Sequence, residues 1–278
     1  MAGETAEKYR KLGLVLSGGG ARGAYQIGVW KAMREVGLDR HVRAIAGTSI
    51  GAINAALFLQ GDFHLAEQAW FSIQSHQVLS WDPKHTMKLL LQWVAFGARG
   101  WLEELSQIGL FTRSGVNTLI DKFIDLEVVS QSRIPAWVTC RRINPNFAAT
   151  YPWDWAASGP VEYFRLNYES PQRIRSYLLA SSAIPLIFGA QVIDGFGYAD
   201  AGIGHPAEHS PIKPVYEYGC DVIIVVHTEQ TQTGNAADFP SARIVQISPH
   251  QFLGGSRATF DFTPEGVRRR IALGYADA

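Results

Sequence analysis

The hydrophobic pattern of the first 60 residues predicts two strand–helix units. An apolar run over 12–16 ends at a cluster of glycines, and the amphipathic stretch ARGAYQIGVWKAMREVGL follows with helical periodicity. VRAIAG, over 42–47, predicts a second strand, and small apolar residues from Ile50 to about Gln60 predict a second helix. Strands and helices that alternate at this spacing favour a parallel sheet covered on both faces.

The rest of the chain predicts further strands around an aromatic-rich helical segment. From Phe63 to Phe123 the pattern is helical, and we interpret about 63–130 as an insertion over the sheet. Four later segments are strand-like: 135–143, 161–166, 220–228 and 242–248. The first two look like an antiparallel pair, and DGFG (194–197) predicts a hairpin turn. We therefore expect residues 1–278 to form a single α/β domain, with further helices near 173–179 and at the C-terminal end.

The charge balance and the cysteines narrow the class of protein. Lys and Arg total 25, as do Asp and Glu, so no global positive field points to nucleic-acid binding, and we expect none. Cys140 and Cys220 are too few for a disulfide framework. We expect both to be buried, reduced thiols, which fits a reducing compartment.

No segment predicts secretion or a membrane span. The first 13 residues are charged and lack the apolar core of a signal peptide. The longest apolar runs, at 44–59 and 89–98, are short or interrupted by polar groups. We expect a cytoplasmic protein whose contact with a membrane is peripheral, at the inner face.

A serine between two glycines follows the second predicted strand. In GTSIG, Ser49 lies two residues from both Gly47 and Gly51 and directly before a predicted helix. A nucleophilic serine on a sharp strand-to-helix turn requires small residues at these two positions. The context predicts a nucleophile at Ser49; the alternative is a tight glycine turn beside a buried serine.

The glycine-rich loop SGGGARG has two interpretations. Gly18, Gly20 and Gly23 fit the G-x-G-x-x-G pattern of dinucleotide-binding folds. That fold also needs an acidic residue at the end of the second strand, where this chain has Thr48 and Ser49. The same geometry can instead form an oxyanion hole, in which backbone N–H groups bind the oxygen of a tetrahedral intermediate.

A serine hydroxyl requires a base, and histidine is the usual one. Four of the eight histidines lie in the C-terminal half: His205, His209, His227 and His250. An α/β-hydrolase triad would use one of them, but in that fold several strands precede the elbow, whereas one precedes it here.

Four motifs carry a resemblance to a known family. They are GGGARG (18–23), GTSIG (47–51), SSAIP (181–185) and YADAG (198–202), and together they resemble the patatin-like phospholipases. The resemblance covers most of the chain and is weakest across the aromatic-rich insertion. It implies a three-layer α/β/α fold with a central, mainly parallel sheet.

The resemblance also implies a catalytic site without histidine. By the family pattern Ser49 is the nucleophile and Asp200 the base, and Gly18, Gly19, Gly20 and Arg22 surround the oxyanion. The departure is Ala201, where the family has glycine after the aspartate, and a glycine-only backbone conformation would be strained there. Asp194 matches half of the motif and is the rival base, although Asp194-Gly195 also fits the hairpin turn.

The implied activity is calcium-independent hydrolysis of acyl esters in membrane phospholipids or related lipids. Asp200 takes the Ser49 proton, Ser49 attacks the ester carbonyl, and water releases the fatty acid from an acyl-enzyme. No metal or cofactor is expected, since neither an EF-hand pattern nor clustered Cys/His spacing occurs. The alternatives are an esterase that uses a histidine and a non-catalytic lipid- or nucleotide-binding module.

Aromatic and basic residues outside the motifs have simpler interpretations. We expect the tryptophans between 70 and 101 to fill the core rather than form a lid at the membrane. Trp153 and Trp155, in a loop bounded by proline and glycine, are candidates for contact with lipid. The arginines at 268–270 are expected to form a solvated face of the last helix.

Overall fold

A mixed β-sheet with helices on both sides organises the part of the chain that the structure describes. The structure is a computed structural model that describes residues 11–73, 114–143, 159–184, 187–204, 206–231 and 236–278. Within these residues the strands are β1 (Leu12–Leu16), β2 (Val42–Thr48), β3 (Ala136–Arg142), β4 (Val161–Arg165), β5 (Gln191–Ile193), β6 (Phe196–Asp200), β7 (Val222–Val226) and β8 (Arg243–Ile247). The helices are α1 (Ala24–Glu35), α2 (Ile50–Leu59), α3 (Phe63–Ser72), α4 (Ser114–Phe123), α5 (Leu126–Gln131), α6 (Pro171–Ser181), α7 (Ile212–Glu217) and α8 (Pro264–Asp277).

The sheet is parallel through its centre and antiparallel at one side. Strands β3, β2, β1, β7 and β8 lie side by side in that order, and each neighbouring pair is parallel. Strands β4 and β6 both pair antiparallel with β3, and β5 pairs antiparallel with β6. The mainly parallel α/β fold predicted from the sequence is therefore confirmed, as is the antiparallel pair formed by β3 and β4.

Strand β1 separates two hydrophobic layers. Leu14 and Leu16 lie in the larger core with residues of α1 and α2, while Val15 lies in a second cluster with Ile212 and Val215 of α7. Successive side chains of a strand point to opposite faces of the sheet, so a strand with helices on both faces is apolar throughout. This explains the continuous apolar run at 12–16.

The predicted elements agree with the observed ones except at a few positions. Helix α7 has no counterpart among the elements predicted from the sequence. Trp70 is fully buried, as expected for a core tryptophan. Arg270 is buried and paired with Asp261 at 2.8 Å, so the predicted solvated face is wrong for this arginine. Its guanidinium also donates to the main-chain carbonyl of Asp261 at 2.7 Å, and these contacts hold the side chain against the segment that precedes α8.

Several predictions fall outside the described residues. Helices α3 and α4 are the two described ends of the predicted insertion, and residues 74–113 between them lie outside the described ranges. The same holds for Trp153, Trp155 and His205. None of the helices in the described ranges combines the length and apolar character needed to cross a bilayer.

Helices α1 and α8 approach each other closely through two glycines. A Cβ atom added to Gly274 would lie 1.9 Å from the carbonyl oxygen of Tyr25, and one added to Gly28 would lie 2.0 Å from that of Ile271. Tyr25 also donates a hydrogen bond of 2.9 Å to Asp277 near the end of α8. Since α1 follows the glycine-rich loop directly, α8 supports the helix on which that loop depends.

The Gly274→Ala variant is therefore expected to destabilise the fold. The added methyl group meets a backbone carbonyl that cannot move without shifting α1, so we expect a loss of about 1–3 kcal/mol in the free energy of unfolding. Urea denaturation measures it. Gly255→Ala is the matched control, because no atom lies within 4 Å of its added Cβ, and it should be neutral or slightly stabilising. Equal stability of the two variants would contradict the close approach.

Candidate active site

Ser49 forms a strained turn between β2 and α2. Its φ is 57° and its ψ is −125°, a backbone conformation that a residue with a side chain rarely adopts. Gly47 and Gly51 permit the turn: a Cβ on Gly47 would lie 2.3 Å from the backbone of Gly51, and one on Gly51 would lie 2.1 Å from the carbonyl oxygen of Leu16. The Gly-x-Ser-x-Gly pattern thus has the geometry of a nucleophile elbow, as its spacing predicts.

A second serine holds the backbone of this turn. Ser181, at the end of α6, accepts a hydrogen bond of 2.8 Å from the N–H of Ser49. Its own hydroxyl donates to a main-chain carbonyl of β3, also at 2.8 Å. Ser181 is fully buried, so both bonds are shielded from water. The first serine of the SSAIP motif therefore fixes the peptide of the nucleophile.

Ser49 and Asp200 meet because β2 and β6 run toward each other along the same edge of β3. Strand β4 occupies the other edge, opposite residues 137–141. On the shared edge Thr48 ends β2 opposite Thr139, and Asp200 ends β6 opposite Cys140, the next residue of β3. Ser49 directly follows Thr48, so its side chain and that of Asp200 are neighbours, and the Ser49 hydroxyl lowers the pKa of the carboxyl group.

Asp200 is a buried carboxyl group with a raised pKa. Its side chain is 3% exposed, and burial raises its pKa from the usual 3.8 to about 6. Hydrogen bonds from Ser49 and from the N–H of Gly202, at 2.8 Å, and the charge of Arg141 act in the opposite direction. A carboxylate whose pKa lies this close to neutrality can accept a proton from a serine more readily than an exposed aspartate can.

Arg141 is a buried cation that holds the loop after Asp200. It is 2% exposed, and its guanidinium donates to the main-chain carbonyls of Gly159 (2.9 Å), Ile203 (3.3 Å) and Pro206. Two of these carbonyls lie just beyond Asp200 in the chain. Arg141 therefore fixes the turn that presents the carboxylate.

The backbone conformation bears on two points about the acidic motif: the effect of Ala201 and the position of Asp194. Ala201 is not among the described residues with a positive φ. Its methyl group therefore does not cause the strain expected of a glycine-only backbone conformation. Asp194 lies at the hairpin turn with φ of 50°, where it is exposed and forms an ion pair of 2.9 Å with Arg173. The structure thus brings Asp200 to Ser49 and leaves Asp194 at the surface.

The glycine-rich loop lies beside Ser49, but its glycines differ in what they can donate. A Cβ on Gly18 would lie 3.4 Å from the Cβ of Ser49, so the loop and the nucleophile are in close contact. The N–H of Gly18 donates to the carbonyl of His209 at 3.0 Å and is not available to a ligand. Within the described ranges no acceptor takes the N–H groups of Gly19 and Gly20, which lie at the start of a short helix.

Arg22 points its side chain back across the loop. Its N–H and its Nε both donate to the carbonyl of Gly19, at 3.3 and 3.1 Å. Its guanidinium also pairs with Glu229 and donates to the hydroxyl of Thr259 at 3.2 Å. The cation expected near the oxyanion is thus engaged with three partners of the protein.

Two of the described histidines, His209 and His227, support the loop rather than Ser49, whereas His250 pairs with Asp277 in α8. His227 is buried, contacts Gln246 through Nε2 at 2.9 Å, and has Nδ1 3.4 Å from the hydroxyls of Ser17 and Ser210. His209 provides the carbonyl for Gly18, and burial lowers the pKa of its ring. In the ranges that the structure describes, neither forms a hydrogen bond with the nucleophile.

Comparison with known proteins identifies the family. The model of the patatin-like phospholipase family matches residues 14–210, which include the glycine loop, Ser49 and Asp200. The chain belongs to the patatin-like phospholipase family.

Two curated relatives and one solved structure are similar to this chain. An uncharacterised NTE family protein of Mycobacterium bovis is 24% identical over 228 residues, 82% of this chain and 52% of its own. The lysophospholipase nte1 of Aspergillus terreus is 57% identical over 49 residues, 18% of this chain and 3% of its own. The human group IVD cytosolic phospholipase A2 shares the fold, with a TM-score of 0.52, 10% identity, and coverage of 98% of this chain and 61% of that one. The chain thus spans about half the length of the mycobacterial relative.

A cavity of about 460 Å³ borders the glycine loop of this patatin-like chain. Arg22, Thr228 and Glu229 line its polar side. Its apolar side is formed by Ile184, Ile187, Ile203, Phe252, Leu253 and Phe260. Ile184 follows the serine motif of α6 and Ile203 follows the Asp200 turn, so the cavity lies against the segments that hold the dyad.

Sequence reasoning missed the residues that support the site from a distance. Ser181 was part of a motif that was used for recognition but was given no role. Arg141, Thr228, Glu229 and Thr259 carry no local signal, because each acts through contacts with segments far away in the chain. The cue that the sequence offers for Arg141 is its position in a predicted strand of mainly apolar residues.

Removing the Ser181 hydroxyl is expected to loosen the elbow. In Ser181→Ala the buried N–H of Ser49 loses its acceptor, so we expect a loss of about 1–3 kcal/mol in the free energy of unfolding. Labelling of Ser49 by a fluorophosphonate should also slow. Ser182→Ala is the matched control, because the Ser182 hydroxyl donates only to carbonyls of its own helix. Equal effects of the two changes would show that the Ser49 contact is unimportant.

The raised pKa of Asp200 predicts that this residue destabilises the protein at neutral pH. Because the pKa is higher in the folded state, its contribution to stability is complete below about pH 4 and is lost as the pH rises through 6. A rise from 3.8 to about 6 corresponds to about 3 kcal/mol. Asp200→Asn should therefore be more stable than the wild type at pH 8 by up to that amount.

Urea denaturation of the wild type and Asp200→Asn at pH 4, 6 and 8 measures this difference. The gain should shrink as the pH falls toward 4. Asp194→Asn is the control: Arg173 lowers the pKa of that exposed carboxylate, so no gain is expected at pH 8. A gain for Asp200→Asn that is the same at all three pH values would contradict the raised pKa.

Proposed function

We propose that the chain is a serine hydrolase that cleaves fatty acyl esters of lipids through a Ser49–Asp200 dyad. The observation that carries the proposal is the meeting, along one edge of β3, of a serine on a strained elbow with a buried carboxyl group whose pKa is raised to about 6. Membership of the patatin-like phospholipase family supports it.

Each step of the proposed reaction has a group in the site. Asp200 takes the proton from Ser49 as Oγ attacks the ester carbonyl, and the electron pair of the C=O bond moves to the oxygen. The free N–H groups of Gly19 and Gly20 would stabilise that oxyanion. Asp200 then protonates the departing alcohol, and water, activated by the same carboxylate, releases the fatty acid from the acyl-enzyme.

The apolar cavity supports a lipid substrate. Its volume is in the range of small-molecule sites, and the isoleucine and phenylalanine side chains on one face would accommodate an acyl chain. Phe252 and Ile203, which line it, are 67% and 40% exposed. We propose that these side chains contact the surface of the membrane when a lipid enters, so that binding is peripheral.

The alternatives from the sequence are less well supported. A dinucleotide would need an acidic residue after β2, where Thr48 and the Ser49 elbow lie instead. A histidine base would need to reach Ser49, and within the described ranges neither His209 nor His227 forms a hydrogen bond with it, whereas Asp200 is its neighbour. In the described ranges no group of three His, Cys, Asp or Glu side chains could hold a metal ion. Because each step of the proposed reaction uses a protein group or water, we propose hydrolysis without calcium, which the assay in EDTA tests.

Fatty acid released from mixed phospholipid vesicles, in EDTA at neutral pH, tests the function. We expect release by the wild type and a loss of about 1,000-fold or more in Ser49→Ala and Asp200→Asn, since each removes a member of the dyad. Asp194→Asn is the matched control and should retain wild-type activity. Parallel assays with lysophospholipid and diacyl phospholipid show which substrate is preferred.

Two outcomes would contradict the proposal. If the wild type releases no fatty acid and a fluorophosphonate does not label Ser49, the chain is a binding module and not a hydrolase. If Asp194→Asn is inactive while Asp200→Asn is active, the base is wrongly assigned. Circular dichroism of each variant establishes that a loss of activity is not a loss of fold.

A further inference from the structure

Two carbonyl groups of the glycine loop are held by side chains. The hydroxyl of Thr228 donates to the carbonyl of Gly18. Arg22 donates twice to the carbonyl of Gly19, from its N–H and its Nε. In a trans peptide the carbonyl and the following N–H point in opposite directions. Fixing these two carbonyls therefore also fixes the directions of the Gly19 and Gly20 N–H groups.

Arg22 is itself held in place by two residues from the C-terminal part of the chain. Its guanidinium pairs with Glu229 and donates to Thr259 at 3.2 Å. The side chain of Arg22 is 12% exposed and that of Glu229 38% exposed, so the pair lies at the wall of the cavity and is only partly shielded. Thr228 and Glu229 are consecutive residues, just after β7.

The glycine loop also packs tightly against Thr228 and Thr259. A Cβ on Gly19 would lie 2.2 Å from the hydroxyl oxygen of Thr228, and one on Gly20 would lie 2.3 Å from the carbonyl oxygen of Thr259. Both glycines have positive φ, of 159° and 59°. Gly20 thus needs both the left-handed backbone and the space that only glycine gives.

We propose that Thr228 and Glu229 are positioning residues of the oxyanion hole. Thr228 orients the peptide between Gly18 and Gly19 directly, and Glu229 orients the next peptide through Arg22. Both lie beyond residue 210, where the match to the family model ends. The inference rests on the proposed function, because it assigns the support of the site at which the ester would react.

Steady-state kinetics of Thr228→Val, Thr228→Ser and Glu229→Gln test the proposal. Thr228→Val keeps the shape of the side chain and removes the donor, and misplacement of the loop should lower kcat by about 10- to 100-fold. KM should change little, because the lost interaction forms mainly in the transition state. Thr228→Ser restores the donor and should recover most of kcat, while Glu229→Gln should lower kcat by a smaller factor.

A transition-state analogue separates orientation of the loop from binding of the lipid. Ser49 Oγ adds to the carbonyl of a trifluoromethyl ketone, its proton passes to Asp200, and the ketone oxygen becomes an oxyanion in the loop. The Ki of this compound should rise in Thr228→Val by the factor by which kcat/KM falls. The affinity for a non-hydrolysable ether lipid should stay the same. Equal weakening of both ligands would mean that Thr228 acts in binding, and the proposal would be wrong.

Thr118→Val is the control for the substitution. Thr118 is an exposed residue of α4 and is not among the residues that line the cavity. The same change of side chain is therefore made outside the site and should leave kcat unchanged. Asp121→Asn, which breaks a surface ion pair with Arg175, is the control for Glu229→Gln. A loss in the controls equal to that in the test variants would overturn the assignment.

Amide hydrogen exchange provides a readout that does not depend on hydrolysis. The N–H of Gly18 donates to the carbonyl of His209, and the N–H of Arg22 donates to the carbonyl of Gly19. Their exchange, followed in a peptide over 17–23, should be faster by about tenfold in Thr228→Val, the equivalent of one hydrogen bond. If exchange and kcat are both unchanged in a folded variant, the proposal is wrong. If the wild type is inactive but exchange responds, the support of the loop stands and the proposed function fails.

Discussion

Strands β2 and β6 run toward each other along one edge of β3, and the rest of the site depends on this meeting. A parallel sheet alone would place Ser49 at the carboxyl end of β2, next to the glycine loop after β1. It would not supply a carboxylate. Strand β6 runs antiparallel to β3, so it approaches from the opposite end and stops at Asp200, opposite Cys140. Cys140 is the residue after Thr139, which lies opposite Thr48. The proposed dyad is therefore a consequence of mixed strand direction in one sheet.

This arrangement holds several groups in states that cost free energy. Ser49 has a strained backbone, Asp200 is a carboxyl group almost without contact with water, and Arg141 is a buried cation. Each cost is reduced by specific contacts. Ser181 accepts from the strained peptide, Gly202 donates to the carboxylate, and three carbonyls surround the guanidinium. The free energy gained by burying apolar side chains on both faces of the sheet offsets these costs.

The support of the glycine loop comes from the opposite end of the chain. Arg22 and Glu229 are 207 positions apart, and Thr259 is further away still. Helix α8 packs on α1 through Gly274 and Gly28, directly after the loop. The segments beyond residue 210, where the match to the family model ends, thus contact the glycine-loop peptides that lie beside Ser49. A site made of early motifs in the chain depends on its late segments for its geometry.

The sequence by itself determined the local elements, the elbow and the glycine loop, because each is encoded by neighbouring residues. Apolar runs predict strands, and the glycines around Ser49 are needed for contacts within a few residues of the turn and with the end of β1. The sequence favoured Asp200 over Asp194 through the family resemblance and through the hairpin turn that Asp194-Gly195 predicts. Tertiary structure decided where the two carboxylates lie: one in an exposed hairpin, and the other at the edge of β3 beside Ser49. It also decided which side chains hold the carbonyl groups of the glycine loop, because those contacts join segments that no local pattern connects.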